Sequence, residues 1–193
     1  MTAIINRRDF VTQLTKACPD ALIVAGLGSS TYDLFAAGDR PNHFYLWGAM
    51  GGALGIGLGL ALAQPSKSVI VLTGDGEQLM GLGLLATIGA QQPKNLTVVV
   101  LDNGHFGETG MQRSHTSLGT DLVALAKACS ISESHRVIDS DSIAAISAAV
   151  NTPSQTSFFQ VLVKADEVPR ALPPRDGVYI KNRFRDLLGL EPL

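Results

Sequence analysis

Asp75 and Asn103 are the two residues whose type and setting best suit chemistry. Asp75 sits in Gly74-Asp75-Gly76-Glu77, soon after the apolar run Val69-Ile70-Val71-Leu72. Asn103 sits in Asp102-Asn103-Gly104, after a second apolar run over residues 96–101. A carboxylate and a side-chain amide offer hard oxygen donors. They suit a cation such as Mg2+, which holds oxygens at about 2.0–2.1 Å and usually shares them with phosphate and water. Gly74 and Gly76 let the backbone approach an anion closely, and the amides of Gly76 and Glu77 open the following segment, where a diphosphate is favoured. Read singly, Asp75 is equally a helix cap at a tight turn, and Asn103 equally the end of a strand.

For these two residues to act together, the elements around them must bring them to one place. Short β-branched runs without polar alternation fit strands buried on both faces, hence a parallel sheet. The Leu- and Gly-rich segment from 79 to about 90 reads as the crossover helix between two such strands. A βαβ unit brings the ends of its parallel strands to one sheet edge, where open α/β sheets bind ligands.

The rest of the chain supplies more elements of the same kind. An amphipathic helix over 7–17 precedes a buried strand over 21–25 and the turn Gly26-Leu27-Gly28, with Ser29 or Ser30 capping a helix to about 37. A strand over 43–47 leads into a Gly-rich helix ending near 63. Thr120 or Asp121 caps a helix over 122–129. A strand over 135–138, a helix over 142–150 capped from residues 139–141, and a strand over 157–163 follow. An extended stretch over 169–174 and a basic amphipathic helix over 179–188 close the chain. The expected fold is a three-layer α/β/α domain over 1–193, with a mostly parallel sheet of about six strands and 166–193 as a tail and helix. Gly55, Gly57 and Gly59 fall inside one helix, where each is unfavourable by roughly 1 kcal/mol relative to Ala. Several together predict close packing against another backbone.

Composition narrows the function classes. The chain has 193 residues, 46% hydrophobic and 17% charged, enough for one good-sized core. A net charge of −2 gives no reason to expect nucleic acid or a membrane surface as partner. Cys18 and Cys129 form no Cys-x-x-Cys pair, which argues against zinc and iron–sulfur sites and for a reduced, cytoplasmic setting. The apolar stretch 49–63 is too short to span a bilayer, and the Met1 end lacks the apolar core of a signal peptide.

Gly-Asp-Gly after one apolar strand and Asn after the next, with Glu77 to Asp102 between them, resembles the motif of thiamin diphosphate (ThDP) enzymes. The resemblance implies that Asp75, the Asn103 side chain and the His105 carbonyl bind Mg2+, which bridges the cofactor diphosphate. Gly74, Gly76, Glu77 and Phe106 belong to the same implied cofactor site. The turn Gly48-Ala49-Met50-Gly51 and the small-residue helix after it match the family as well. There the resemblance implies that Gly48 offers its carbonyl to the cofactor's 4′-amino group, with Ala49 beside it. It also implies that the Met50 backbone meets the pyrimidine and its thioether wedges between the two rings. Without the resemblance, Met50 reads as a core residue. Glu108, Thr109 and His115 are the catalytic candidates near the reaction edge, against a plainer reading as solvated loop residues.

Asp39-Arg40-Pro41, Phe44-Tyr45-Leu46-Trp47-Gly48, Gly57-Leu58-Gly59-Leu60-Ala61-Leu62 and Thr109-Gly110-Met111-Gln112 look like the sulfopyruvate and phosphonopyruvate decarboxylases of that family. Those relatives carry a Thr-Thr-Gly-type turn where this chain has Gly26-Leu27-Gly28, and Ser where it has Ala49. The resemblance implies a β-type subunit of a split lyase acting on a small 2-oxo acid. It would form a hetero-oligomer with a pyrimidine-binding α subunit that supplies the catalytic glutamate. The alternatives are a ThDP oxidoreductase or carboligase subunit, and a dinucleotide-binding module using Gly26-Leu27-Gly28, whose third fingerprint position is Thr31.

Overall fold

The computed structural model describes residues 5–191. In chain order the strands are β1 (Leu22–Ala25), β2 (His43–Tyr45), β3 (Val69–Gly74), β4 (Leu96–Asp102), β5 (His105–Phe106), β6 (Gln112–Arg113), β7 (Glu133–Val137) and β8 (Ser157–Leu162). The helices are α1 (Arg7–Ala17), α2 (Ser29–Ala36), α3 (Ala53–Ala63), α4 (Asp75–Met80), α5 (Leu84–Gln91), α6 (Leu122–Ala128), α7 (Ile143–Asn151) and α8 (Gly177–Leu187). Six strands form one sheet in the order β2-β1-β3-β4-β8-β7, and every neighbouring pair is parallel. The short strands β5 and β6 pair antiparallel outside it.

The apolar runs are continuous because each strand faces two cores. Successive side chains leave a strand on opposite faces. Ile23, Ile70, Leu72 and Val99 accordingly pack with Phe10 and Leu14 of α1, Leu34 of α2 and Ile146 of α7. Leu22, Val24, Val69, Val71 and Val98 pack with Leu54 and Leu58 of α3, Leu85 and Ile88 of α5 and Leu122 of α6. Each such side chain, fully buried, contributes about 1.5–3 kcal/mol. The result is the expected α/β/α sandwich on a six-stranded parallel sheet.

Several boundaries differ from the sequence reading, each for a local reason. The helix expected over 79–90 starts at Asp75 and breaks into α4 and α5 around Gly81. A Cβ on Gly81 would lie 2.3 Å from the Gly51 carbonyl oxygen, so two backbones touch there. Ser29 and Ser30 do not cap α2; Gly28 holds the cap position at φ 83°. Asp121 caps α6 as expected, accepting from the Ala124 amide at 3.0 Å. Helix α8 begins earlier than expected, where Asp176 accepts from the amides of Val178 and Tyr179. In α3 the predicted close approach is confined to Gly57 and involves a side chain, since a Cβ there would sit 2.1 Å from Val71 Cγ2. Gly59 faces open space.

The extended stretch before α8 is tied down. Arg7 Nη1 donates to the Asp166 carbonyl at 3.1 Å, Arg8 Nη2 to that of Pro169 at 2.8 Å, and Trp47 Nε1 to that of Pro174 at 2.8 Å. Among the described residues no helix is long and apolar enough to cross a membrane.

Candidate functional site

Strand register brings the two singled-out residues together. Gly74 ends β3 opposite Leu101 of β4, so Asp75 and Asp102 leave the sheet at one level and Asn103 lies one residue beyond. Asp75 is 2% exposed, and its Oδ2 accepts from the Ser114 hydroxyl. Thr116 Oγ1 stands between the two carboxyl groups, donating to Asp102 Oδ1 at 2.8 Å and lying 3.3 Å from Asp75 Oδ2. Asp102 also accepts from the Gly104 amide at 2.9 Å and from Gln160 Nε2 at 2.6 Å. Burial, then the charge of Asp102, pushes the Asp75 carboxyl up to about 6, against the pull of the Ser114 and Thr116 hydroxyls. Two buried like charges are the arrangement that a bound divalent cation relieves.

Asn103 Oδ1 accepts from the His105 amide at 2.9 Å, and the Asn103 carbonyl lies 2.8 Å from His105 Nδ1. This tight turn fixes the side-chain oxygen while leaving it a second lone pair. Asp75, Asn103 and His105 all line one cleft of about 330 Å³. Gly74, Gly76, Glu77 and Phe106 line it as well. A Cβ on Gly76 would meet the Phe106 ring at 2.7 Å, so only glycine lets the start of α4 lie flat against β5. Helix α4 spans six residues. It supplies a few free amides rather than a long macrodipole. The hard oxygen donors and the side-chain-free approach fit a Mg2+-bridged diphosphate.

The other end of the cleft is made by a strained turn. Gly48, Ala49 and Gly51 all have positive φ, at 74°, 48° and 87°. For Ala49 this conformation costs roughly 1–2 kcal/mol. Gly48 and Ala49 are exposed and do not line the cleft. Met50 does, and it is 44% exposed, so it is not the core residue of the plainer reading. Glu108 and Thr109 form a one-turn helix on the same wall. Glu108 Oε2 pairs with Arg170 Nη2 at 2.9 Å, and Thr109 Oγ1 donates to Gln112 Oε1 at 2.9 Å. His115 is exposed, packs edge-on to Phe106 with centroids 6.5 Å apart, and stays outside the cleft lining.

The sequence reading missed Ser114, Thr116 and Gln160, which hold the two carboxyl groups, and Arg7, which lines the cleft from α1. The hydroxyls of Ser114 and Thr116 lie in a loop and carry no periodic signal, and Gln160 stands alone among apolar neighbours within strand β8. The closing of residues 114–118 over Asp75 gives the two hydroxyls a role, and the pairing of β8 with β4 gives Gln160 one. Arg7 is 7% exposed in its side chain and pairs with buried Asp33 at 2.6 Å. The dinucleotide reading meets an obstacle. A Cβ on Gly26 would lie 1.6 Å from Glu77 Oε2 and one on Gly28 3.2 Å from Glu108 Cγ, so carboxylate side chains cover both glycines where a pyrophosphate would need to approach.

Residues 26–161 match the family described as thiamine pyrophosphate enzyme, C-terminal TPP binding domain. The chain belongs to this family. The matched span contains Asp75, Asn103, Met50 and the residues that brace them; Arg7 and Arg170 lie outside it. The chain is 44% identical over 174 residues to a phosphonopyruvate decarboxylase of Streptomyces viridochromogenes, an alignment covering 90% of this chain and 43% of that one. It is 46% identical over 110 residues to a sulfopyruvate decarboxylase subunit beta of Methanocaldococcus jannaschii, covering 57% and 58%. The chain thus spans about half the length of these curated relatives. Among solved structures, it superposes on a thiamine diphosphate-dependent 4-hydroxybenzoylformate decarboxylase of Rhodococcus jostii RHA1 with a TM-score of 0.71, at 20% identity, over 87% of this chain and 34% of that one. That likeness is one of fold.

Proposed function

We propose that this chain is the diphosphate-binding, β-type half of a ThDP- and Mg2+-dependent decarboxylase of small 2-oxo acids. Its active site would be completed by a pyrimidine-binding α subunit that supplies a glutamate. The observation that carries the reading is the convergence of Asp75 and Asn103, from adjacent strand ends, on one cleft floored by Gly76. Relatives named as phosphonopyruvate decarboxylase and sulfopyruvate decarboxylase subunit beta support the reaction class.

Asp75, the Asn103 amide oxygen and the His105 carbonyl would hold Mg2+, and the amides of Gly76 and Glu77 would receive the diphosphate. When bound, ThDP supplies a thiazolium that stores the electron pair released on loss of CO2. Gly48 would accept from the pyrimidine amino group, with Ala49 shaping the turn, and Met50 would separate the two rings. Glu108 and Thr109, on the wall of the cleft, are the groups of this chain best set to touch a 2-oxo acid. His115 would act only through Phe106.

The test is calorimetric titration of the purified chain with ThDP, with and without Mg2+, followed by CO2 release from phosphonopyruvate, sulfopyruvate and pyruvate. Binding that requires Mg2+, with negligible turnover until a pyrimidine-binding subunit is added, is the expected result. Absence of Mg2+-dependent binding would overturn the cofactor reading. Full turnover by the chain alone would overturn the split site.

A further inference from the structure

A second cavity, of about 430 Å³, lies beside the cleft and shares Arg7, Ser29, Asn103, Gly107 and Glu108 with it. Tyr32 of α2 and the stretch 166–170 before α8 form its far wall. The proposed function gives this space no role. The unusual member of its lining is Arg7, which is only 6% exposed yet borders both cavities.

Arg7 is held only in part. Its Nε donates to Asp33 Oδ2 at 2.6 Å and its Nη1 to the Asp166 carbonyl at 3.1 Å. A guanidinium carries five N–H donors, and among the described residues its Nη2 meets no acceptor. Its charge is matched no better. Asp33, fully buried, carries two arginines, Arg7 on Oδ2 and Arg8 Nε on Oδ1 at 2.9 Å. One carboxylate cannot neutralise both, and a buried charge is costly unless paired. Asp166 answers this excess only in part, since its Oδ1 stands 3.9 Å from Arg7 Nη1, beyond hydrogen-bond length, and has no hydrogen-bond partner. Glu108 is taken by Arg170 at 2.9 Å, and Glu167 is exposed. Arg170 itself adds a second guanidinium to the far wall, 5.9 Å from the centre of the Tyr32 ring. Planar guanidinium forks match the oxygens of carboxylate and phosphate groups.

We infer that the junction of the two cavities is an oxyanion-binding site: Arg7, through its Nη2, takes a phosphate- or carboxylate-type oxygen of a small ligand, with Arg170 as the second cation. Two sources offer such a group, the diphosphate of the cofactor and the acid substrate. The site itself stands without the ThDP reading; the choice of source rests on it. A purely structural Arg7 would pin the stretch 166–170 through the Asp166 carbonyl and meet no ligand.

Calorimetric titration of the full chain with inorganic phosphate, without Mg2+ or ThDP, tests the site. The parent should bind phosphate, Arg7→Met should weaken binding at least about tenfold, and Arg170→Ala should weaken it about threefold. Arg7→Lys guards against loss of the fold. Its one ammonium keeps the charge beside Asp33 but offers no second nitrogen, so affinity should fall about fivefold or more while the thermal midpoint stays within about 3 °C of the parent. No phosphate binding by the parent would overturn the site. So would binding that a folded Arg7→Met or Arg7→Lys variant retains in full, which would leave Arg7 a pin for the stretch 166–170. Repeating the titration on chain saturated with Mg2+ and ThDP separates the sources. Loss of phosphate binding assigns Arg7 to the diphosphate. Retained binding assigns it to the acid substrate, and sulfoacetate, a non-reacting dianion, should then compete with phosphate. A parent that binds phosphate but not ThDP counts against the proposed function and leaves the oxyanion site intact.

Discussion

At one end of the cleft the two carboxyl groups are buried and partnered: Asp102 by Gln160 and Gly104, Asp75 by Ser114, with Thr116 between them. Around Met50 and Glu108 the wall is open. Met50 is 44% exposed and Met80 59%, and the Glu108–Arg170 pair has side chains 39% and 60% exposed. One end of the cleft is a rigid product of the sheet; the other is a set of loops leaning on that product. Electrostatic effects should therefore be large at the first end, where little water screens them, and small at the second.

The sharpest way to break this contrast is Asp75→Ala. It should reduce Mg2+-dependent ThDP affinity on the order of 100-fold or more, measured by calorimetry, since in the proposed function the cation loses a protein ligand. Unchanged affinity would move the cation elsewhere.

Acidity comes next. The Asp75 carboxyl is raised from 3.8 to about 6, chiefly by burial. Its protonated form is the one the fold favours, so its contribution to stability is fully present below about pH 4 and is lost as pH rises through 6, up to roughly 3 kcal/mol in the cation-free chain. Cation binding needs the deprotonated form, so affinity should fall about tenfold per unit below pH 6. Thermal midpoints from pH 5 to 8, with and without Mg2+ and ThDP, should show these opposite slopes. Parallel curves would mean that Asp75 does not meet the cation.

At the open end, Met50→Ala in the proposed assembled enzyme should lower turnover about tenfold while leaving metal affinity within about twofold, because in the proposed function its thioether would align the rings and touch no cation. Equal losses in both would erase the distinction between the ends. The smallest effect belongs to Arg170→Ala. It removes an exposed ion pair worth about 0–1 kcal/mol, so denaturant midpoints should barely shift. A larger loss would show that the extended stretch before α8 is part of the rigid end.

Some of this was legible in the chain because it depends on local pattern. Unalternated runs such as 69–72 and 96–101 announce strands with two buried faces, and Asp75 and Asn103 stand near their ends. The crossover helix was misjudged because its break is decided by contact between Gly81 and Gly51, thirty residues apart in sequence. Ser29 and Ser30 looked like caps, but Gly28 takes the cap position at a φ that favours glycine. The three helical glycines of α3 read alike, yet only Gly57 is needed, because Val71 happens to point at it.

The order of residues alone thus determined the strands, the parallel sheet they must form and the pairing of Asp75 with Asn103 at one edge, since hydrophobic period and crossover handedness leave few other arrangements. Tertiary structure decided the rest: that Ser114, Thr116 and Gln160 hold the two buried carboxyl groups, that His115 stays outside the cleft, and that Glu77 fills the space left by Gly26. Those outcomes depend on which side chains meet across loops, and such meetings are settled by volume and unsatisfied hydrogen bonds once the layers have closed.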